Sequence, residues 1–330
     1  MNAVKRSTPV SDRTLNRLIR GAVMVLAIGI PLIVALTFLD RGGNHGPTLV
    51  ERQIATAQDV VRQAPNEIGP RLALAQIYET AQRPDDALQQ YDEVLKVSAR
   101  DKTALLGRGD ILLAKGDPGA AAQAYKKVIA AAAGGEFAGV DPQLEHAYFG
   151  LGSVAMAERR GKDAVTALEQ AVKLDATDAD AWYLLGTATL QTGSARRSVE
   201  ALQKAVLFVP TGWCEPYTAL SQAYAKLGRA ASAEYAGAMV DFCQKKTSVA
   251  VSRLEKLTSS PARIDAMLGL GMIAEASGER ASALLWYRKL LKTDSSNFNA
   301  LSGLARLGAA QPPAHEPAPS GGSSSNATTS

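Results

Sequence analysis

Histidine and cysteine are scarce, three and two residues in a chain of 330. His45, His146 and His315 lie far apart, and none stands with cysteine or carboxylates at the spacing of metal ligands. A glycine-rich phosphate loop, a nucleophile elbow and a zinc-protease helix motif are all missing, so the sequence offers no constellation for catalysis and calls for no metal or cofactor. Aromatic side chains make up 5% of the chain against 46% apolar. That balance suits helices packed through small residues better than the core of a large sandwich. A charge excess is also lacking over most of the length. Residues 1–39 hold Lys5, Arg6, Arg13, Arg17 and Arg20 against Asp12 alone, which leaves 31 basic and 31 acidic side chains in the rest of the chain. The formal net charge of +4 therefore belongs to a short tail. Nucleic-acid binding by the remainder loses its electrostatic support.

What the chain does have is one long apolar run. Residues 21–39, GAVMVLAIGIPLIVALTFL, carry no charge. As a helix rising 1.5 Å per residue they reach about 28 Å, nearly across a hydrocarbon core. A cleaved signal peptide has a shorter apolar region and a small-x-small exit, and Thr37-Phe38-Leu39-Asp40-Arg41 is a poor one. The expectation is a retained transmembrane helix over 21–39 behind a basic cytoplasmic tail, 1–20. The basic flank puts the N-terminus inside and everything after the span outside, periplasmic or extracellular. Residues 40–47, DRGGNHGP, form a glycine-rich linker. Residues 309–330 are rich in Pro, Ser and Gly without an apolar period, which predicts disorder.

Between these ends the chain repeats. Asp180 to Pro210 reads as a helical hairpin: an apolar helix through Trp182, Leu185 and Leu190, a turn at Gly193, and a second helix through Leu202 and Val206. Pro210 closes it. Gly152 lies 34 residues before Gly186, and Ala75 lies 34 before Gly109. Such a period, filled by two helices, marks a repeat array. The chain here resembles the tetratricopeptide repeat family: Trp182, Leu185, Gly186, Leu202, Ala205 and Pro210 fill its slots, with Ser198 in place of the usual alanine. Ala75, Tyr78, Ala87, Tyr91 and Val94 fit an earlier unit; Gly109, Ala121, Tyr125 and Val128 the next; Gly152, Ala164, Leu168 and Ala171 a third. After Pro210 the spacing slips by one residue, and Ser221, Tyr224 and Ala233 match imperfectly. Register returns at Gly271, Gly278, Ala283, Tyr287 and Leu290. The resemblance implies an all-α, right-handed superhelical solenoid over 48–308. An insertion, Ala130 to Pro142, separates two units, with Phe137 as a candidate anchor if it contacts a partner rather than forming a plain surface loop. An additional helix over Ser248 to Leu257 breaks the pairing.

The family binds extended peptide or protein segments along the first helices of its repeats. Carried onto this chain, that groove holds Leu72, Leu106, Phe149 and Tyr183 at one level; Gln76, Asp110, Ser153 and Thr187 at a second; and Glu79, Leu113, Met156 and Leu190 at a third. The Lys and Asn of the family's carboxylate clamp are absent, which disfavours recognition of an acidic C-terminal tail. Phe149 and Tyr183 are equally explained as packing between helices. Cys214 and Cys243 each lie 14 to 15 residues from the turn at Gly228-Arg229, where antiparallel helices bring them side by side. They either form a disulfide, which an outer compartment permits, or are two small buried apolar residues. The function expected is a membrane-tethered, non-catalytic interaction module for protein or peptide partners in the cell envelope. The alternative is an accessory subunit of a stable membrane complex.

Overall fold

A computed structural model describes residues 48–132 and 141–309. The expected tail, span and linker, Phe137, and the Pro/Ser/Gly-rich segment beyond Ala309 lie outside the described residues. Among the described residues there are fifteen α-helices and no strand, and no helix is long and apolar enough to cross a membrane. Two units are distinguished, Met1–Pro65 and Asn66–Ser330. The first contributes helix α1, Leu49–Gln63. Thr48 caps it through a reciprocal box: the Glu51 amide donates to Thr48 Oγ1, and the Thr48 amide donates to Glu51 Oε2. Two of the end's orphan donors are thereby satisfied.

The second unit is a run of hairpins: α2 (Ile68–Thr80) with α3 (Pro84–Val97), α4 (Lys102–Ala114) with α5 (Pro118–Ala132), and α6 (Pro142–Ala157) with α7 (Gly161–Leu174). Then come α8 (Ala179–Gln191) with α9 (Ala195–Phe208) and α10 (Cys214–Lys226) with α11 (Ala230–Cys243). Asp101, Asp141 and Asp178 cap α4, α6 and α8 through side-chain carboxylates. The first alanines of the insertion extend α5 as far as Ala132.

The hairpin turns share one hydrogen bond. The amides of Arg83, Asp117, Arg160, Ser194 and Arg229 each donate to the carbonyl five residues back, at 2.8–2.9 Å. That is the Schellman pattern, and it needs a left-handed residue just before the donor. Gly116, Gly193 and Gly228 supply it with φ of 80°, 85° and 68°; Gln82 and Arg159 do so at 56° without being glycine.

The 34-residue period of small residues is a packing period. At Gly152 an added Cβ would meet Leu168 at 2.5 Å, and at Gly186 it would meet Leu202 at 2.5 Å. Tyr125 of α5 is wedged between two notches, since a Cβ at Gly109 or Gly150 would lie 2.7 or 2.5 Å from its ring. Tyr287 repeats the arrangement between Gly271 and Gly303. Each notch lets a large side chain of a second helix seat against a first helix, so the small positions recur with the hairpins.

The additional helix is α12 (Thr247–Leu257), followed by α13 (Arg263–Ala276), α14 (Arg280–Leu291) and α15 (Phe298–Arg306). It does more than distort the pairing. Between α11 and α12 the Lys246 amide donates to Asp241 O at 2.9 Å, with Lys245 at φ 63°. That is the same turn that joins the two halves of the other hairpins. Helix α11 is therefore second partner to α10 and first partner to α12. Up to this point the first helices touch in the order α4–α6–α8–α10; afterwards the line continues as α11–α13–α15. In the structure Cys214 and Cys243 are disulfide-bonded with Cα atoms 5.6 Å apart, tying the start of α10 to the end of α11 where the layer changes.

Candidate functional site

The first helices present one face that packing covers only in part. Period 3.6 puts residues four and seven apart on one side of a helix. On α6 that strip is Phe149, Ser153 and Met156, and on α8 it includes Tyr183 and Thr187, all of them half-buried. Phe149 and Met156 lean on the α7–α8 core, and Tyr183 packs edge-on against Trp213 with ring centroids 5.0 Å apart. The hydroxyls of Ser153 and Thr187 donate back to the carbonyls of Phe149 and Tyr183, so they keep acceptor capacity for a ligand. Gln76 on α2 is exposed, Leu72 is half-buried, and Leu113 leans on the α4–α6 core.

Two of the expected groove positions are not in the groove. Leu106 is 6% exposed and belongs to the cluster of Tyr125, Val128 and Ala147; Leu190 is 7% exposed and packs with Val199, Leu202 and Tyr217. These leucines fill the space between hairpins, out of a ligand's reach.

Beside the aromatic strip lies a polar cluster that spacing did not reveal. Asp110 Oδ1 accepts from the Tyr125 hydroxyl at 2.7 Å and lies 3.0 Å from His146 Nε2. The hydrogen bond and charge of Asp110 hold the imidazole above its ordinary pKa against the cost of its burial. Burial and the negative charge beneath it push the Tyr125 phenol well up, so it stays a donor. On the same turn of α6, Glu145 is pushed up to about 7, first by burial and then by the neighbouring Asp178 carboxylate. One Glu145 oxygen is enclosed and finds no partner. On α2, Glu79 is raised by burial while Tyr91 donates to it. Among the described residues no group of three or more His, Cys, Asp or Glu is arranged to hold a metal ion. The cluster thus gathers carboxyl groups around one protonatable imidazole. His146 lies near the start of α6. Its partner Asp110 is 36 residues away, across the insertion, and no local signal connects them.

Comparison with known proteins bears on the repeats themselves. A family model described as tetratricopeptide repeat matches residues 72–136 and 149–211, which supports that reading of the hairpins from α2 to α9. No curated protein matches the chain. Among solved structures, MamA is 25% identical over 56% of this chain and 95% of its own, with a TM-score of 0.44. The 41-end form of MamA from Desulfovibrio magneticus RS-1 is 23% identical over 55% and 98%, with a TM-score of 0.47. YrrB, described as a TPR protein with an unusual peptide-binding site, is 18% identical over 60% and 97%, with a TM-score of 0.48.

Proposed function

We propose that this chain is a non-catalytic interaction module that binds an extended protein segment along its first helices. The observation that carries the reading is the strip of Phe149, Ser153, Tyr183 and Thr187, half-buried yet unsealed, beside the acceptors of Asp110 and Glu145. Aromatic surface flanked by carboxyl groups suits a peptide with apolar side chains and a basic residue. Stacked hairpins favour this use because they expose a long face rather than enclose a reaction chamber.

Membrane attachment through residues 21–39, with the array on the outer side, belongs to the same proposal. It rests on the uncharged run and its basic flank, and the Cys214–Cys243 disulfide supports it, since such bonds persist in oxidising compartments. Protease added to sealed right-side-out vesicles is expected to degrade the array; full protection would reverse its placement.

A photoreactive residue at Thr187 or Gln76 tests the binding face. Tyr183 is a poorer site because Trp213 already covers its ring edge. The expected result is one captured protein, lost when Phe149→Ala is added. Labelling no stronger than from a probe at Gln170 on α7 would defeat the proposal.

A further inference from the structure

The inner strip leaves a second recess unexplained. The carboxyl end of α9 and helices α13 and α15 line two adjoining hollows of about 230 and 360 Å³. Leu207, Phe208, Met272 and Phe298 make the apolar part, and Glu275 and Arg306 the charged rim. Phe298 is 67% exposed and Phe208 39%. They are the two most open phenylalanines among the described residues, and they face one cleft. The rim is fixed: Arg306 donates to both Glu275 oxygens at 2.7 and 2.9 Å, and the Tyr287 hydroxyl donates to the same carboxylate at 2.6 Å.

The chain itself continues beyond this cleft. Helix α15 ends at Arg306, which lines both hollows, and the Leu307 carbonyl accepts from Arg280 at 2.6 Å. The next residues, 311–319, read QPPAHEPAP. Proline-rich segments favour an extended left-handed helix and dock into clefts walled by aromatic rings, because little conformational entropy remains to be lost. At about 3.1 Å per residue, nine residues span about 28 Å, and the first lies only five positions past Arg306.

We propose that residues 311–319 of the same chain occupy this cleft, their prolines against Phe208 and Phe298. Attachment to α15 gives the segment an effective concentration in the millimolar range, so even weak contacts keep it bound.

The test uses the full chain, purified and dilute, with a benzophenone amino acid in place of the exposed Phe298. Illumination is expected to give a crosslinked monomer whose crosslinks map to 311–319. Changing Pro312, Pro313, Pro317 and Pro319 together to Ser should lower the yield at least fivefold, and Phe208→Ala should do the same. Circular dichroism on each variant separates loss of docking from loss of fold. Crosslinked dimers, crosslinks confined to helices α9 to α15, or a yield indifferent to the proline changes would each overturn the proposal.

Discussion

Replacing Gly150 by Ala tests the wedge on which the array's stacking rests. The new Cβ would lie 2.5–2.7 Å from three ring atoms of Tyr125. The ring cannot slide away, because Gly109 faces its other side with a Cβ position only 2.7 Å distant. Two effects of opposite sign compete. Helix propensity favours Ala over Gly by about 1 kcal/mol in a helix interior. Overpacking a filled core site costs about 1–3 kcal/mol. With the ring pinned on both faces the upper half of that range applies, so a net destabilisation of about 1–2 kcal/mol is expected. The sign should reverse in a Tyr125→Ala background, where the obstructing ring is gone and only propensity remains. Repeat arrays can unfold in stages, so a global urea midpoint is best paired with native-state hydrogen exchange in α5 and α6. If Gly150→Ala stabilises the otherwise unchanged protein, or destabilises equally with and without the Tyr125 ring, the wedge explanation is wrong.

Other outcomes follow from the same geometry. Ser198 is fully buried with a hydroxyl that finds no partner, in a slot where alanine is usual for the repeat, so Ser198→Ala should stabilise by about 1 kcal/mol in chemical denaturation. Glu145 is a carboxyl whose folded pKa, about 7, exceeds its ordinary value of 4.5, so the folded form holds the extra proton. Stability should therefore fall between pH 4.5 and 7 and level off above, by on the order of 1 kcal/mol after solvent screening; Glu145→Gln should flatten that part of the profile. His146 acts in the same direction, its contribution full below pH 6.5 and lost above its raised pKa; Asp110→Asn should lower that pKa in an NMR titration. Reducing Cys214–Cys243, which are 29 residues apart, should cost about 3.6 kcal/mol by the loop-entropy relation and raise exchange at the start of α10 first.

Much of the framework was readable in the chain. Gly116, Gly193, Gly228 and Gly278 announce turns because only glycine takes a positive φ without strain. Gln82, Arg159 and Lys245 take the same conformation with no glycine to mark it, so the α11–α12 hairpin carries no local turn signal. The small residues at 34-residue spacing pointed to units, and Gly109, Gly152 and Gly186 prove to be seats for Tyr125, Leu168 and Leu202. The inner face was less legible. Leu106 shares a level with Phe149 and Tyr183, yet it is buried between hairpins while the two aromatics stay half-buried; Leu190, on the same side of α8 as Tyr183, is buried as well.

The amino-acid order by itself determined the two-helix unit, its length and its turns, since these depend on periodicity and on backbone conformations that neighbouring residues impose. Tertiary structure alone decided that α11 serves two hairpins, that Asp110, Tyr125 and His146 meet, and that α9 faces α15 across a cleft. Those outcomes depend on the angle between successive hairpins. That angle is the sum of many side-chain volumes fitted at once, and no single stretch of chain contains it.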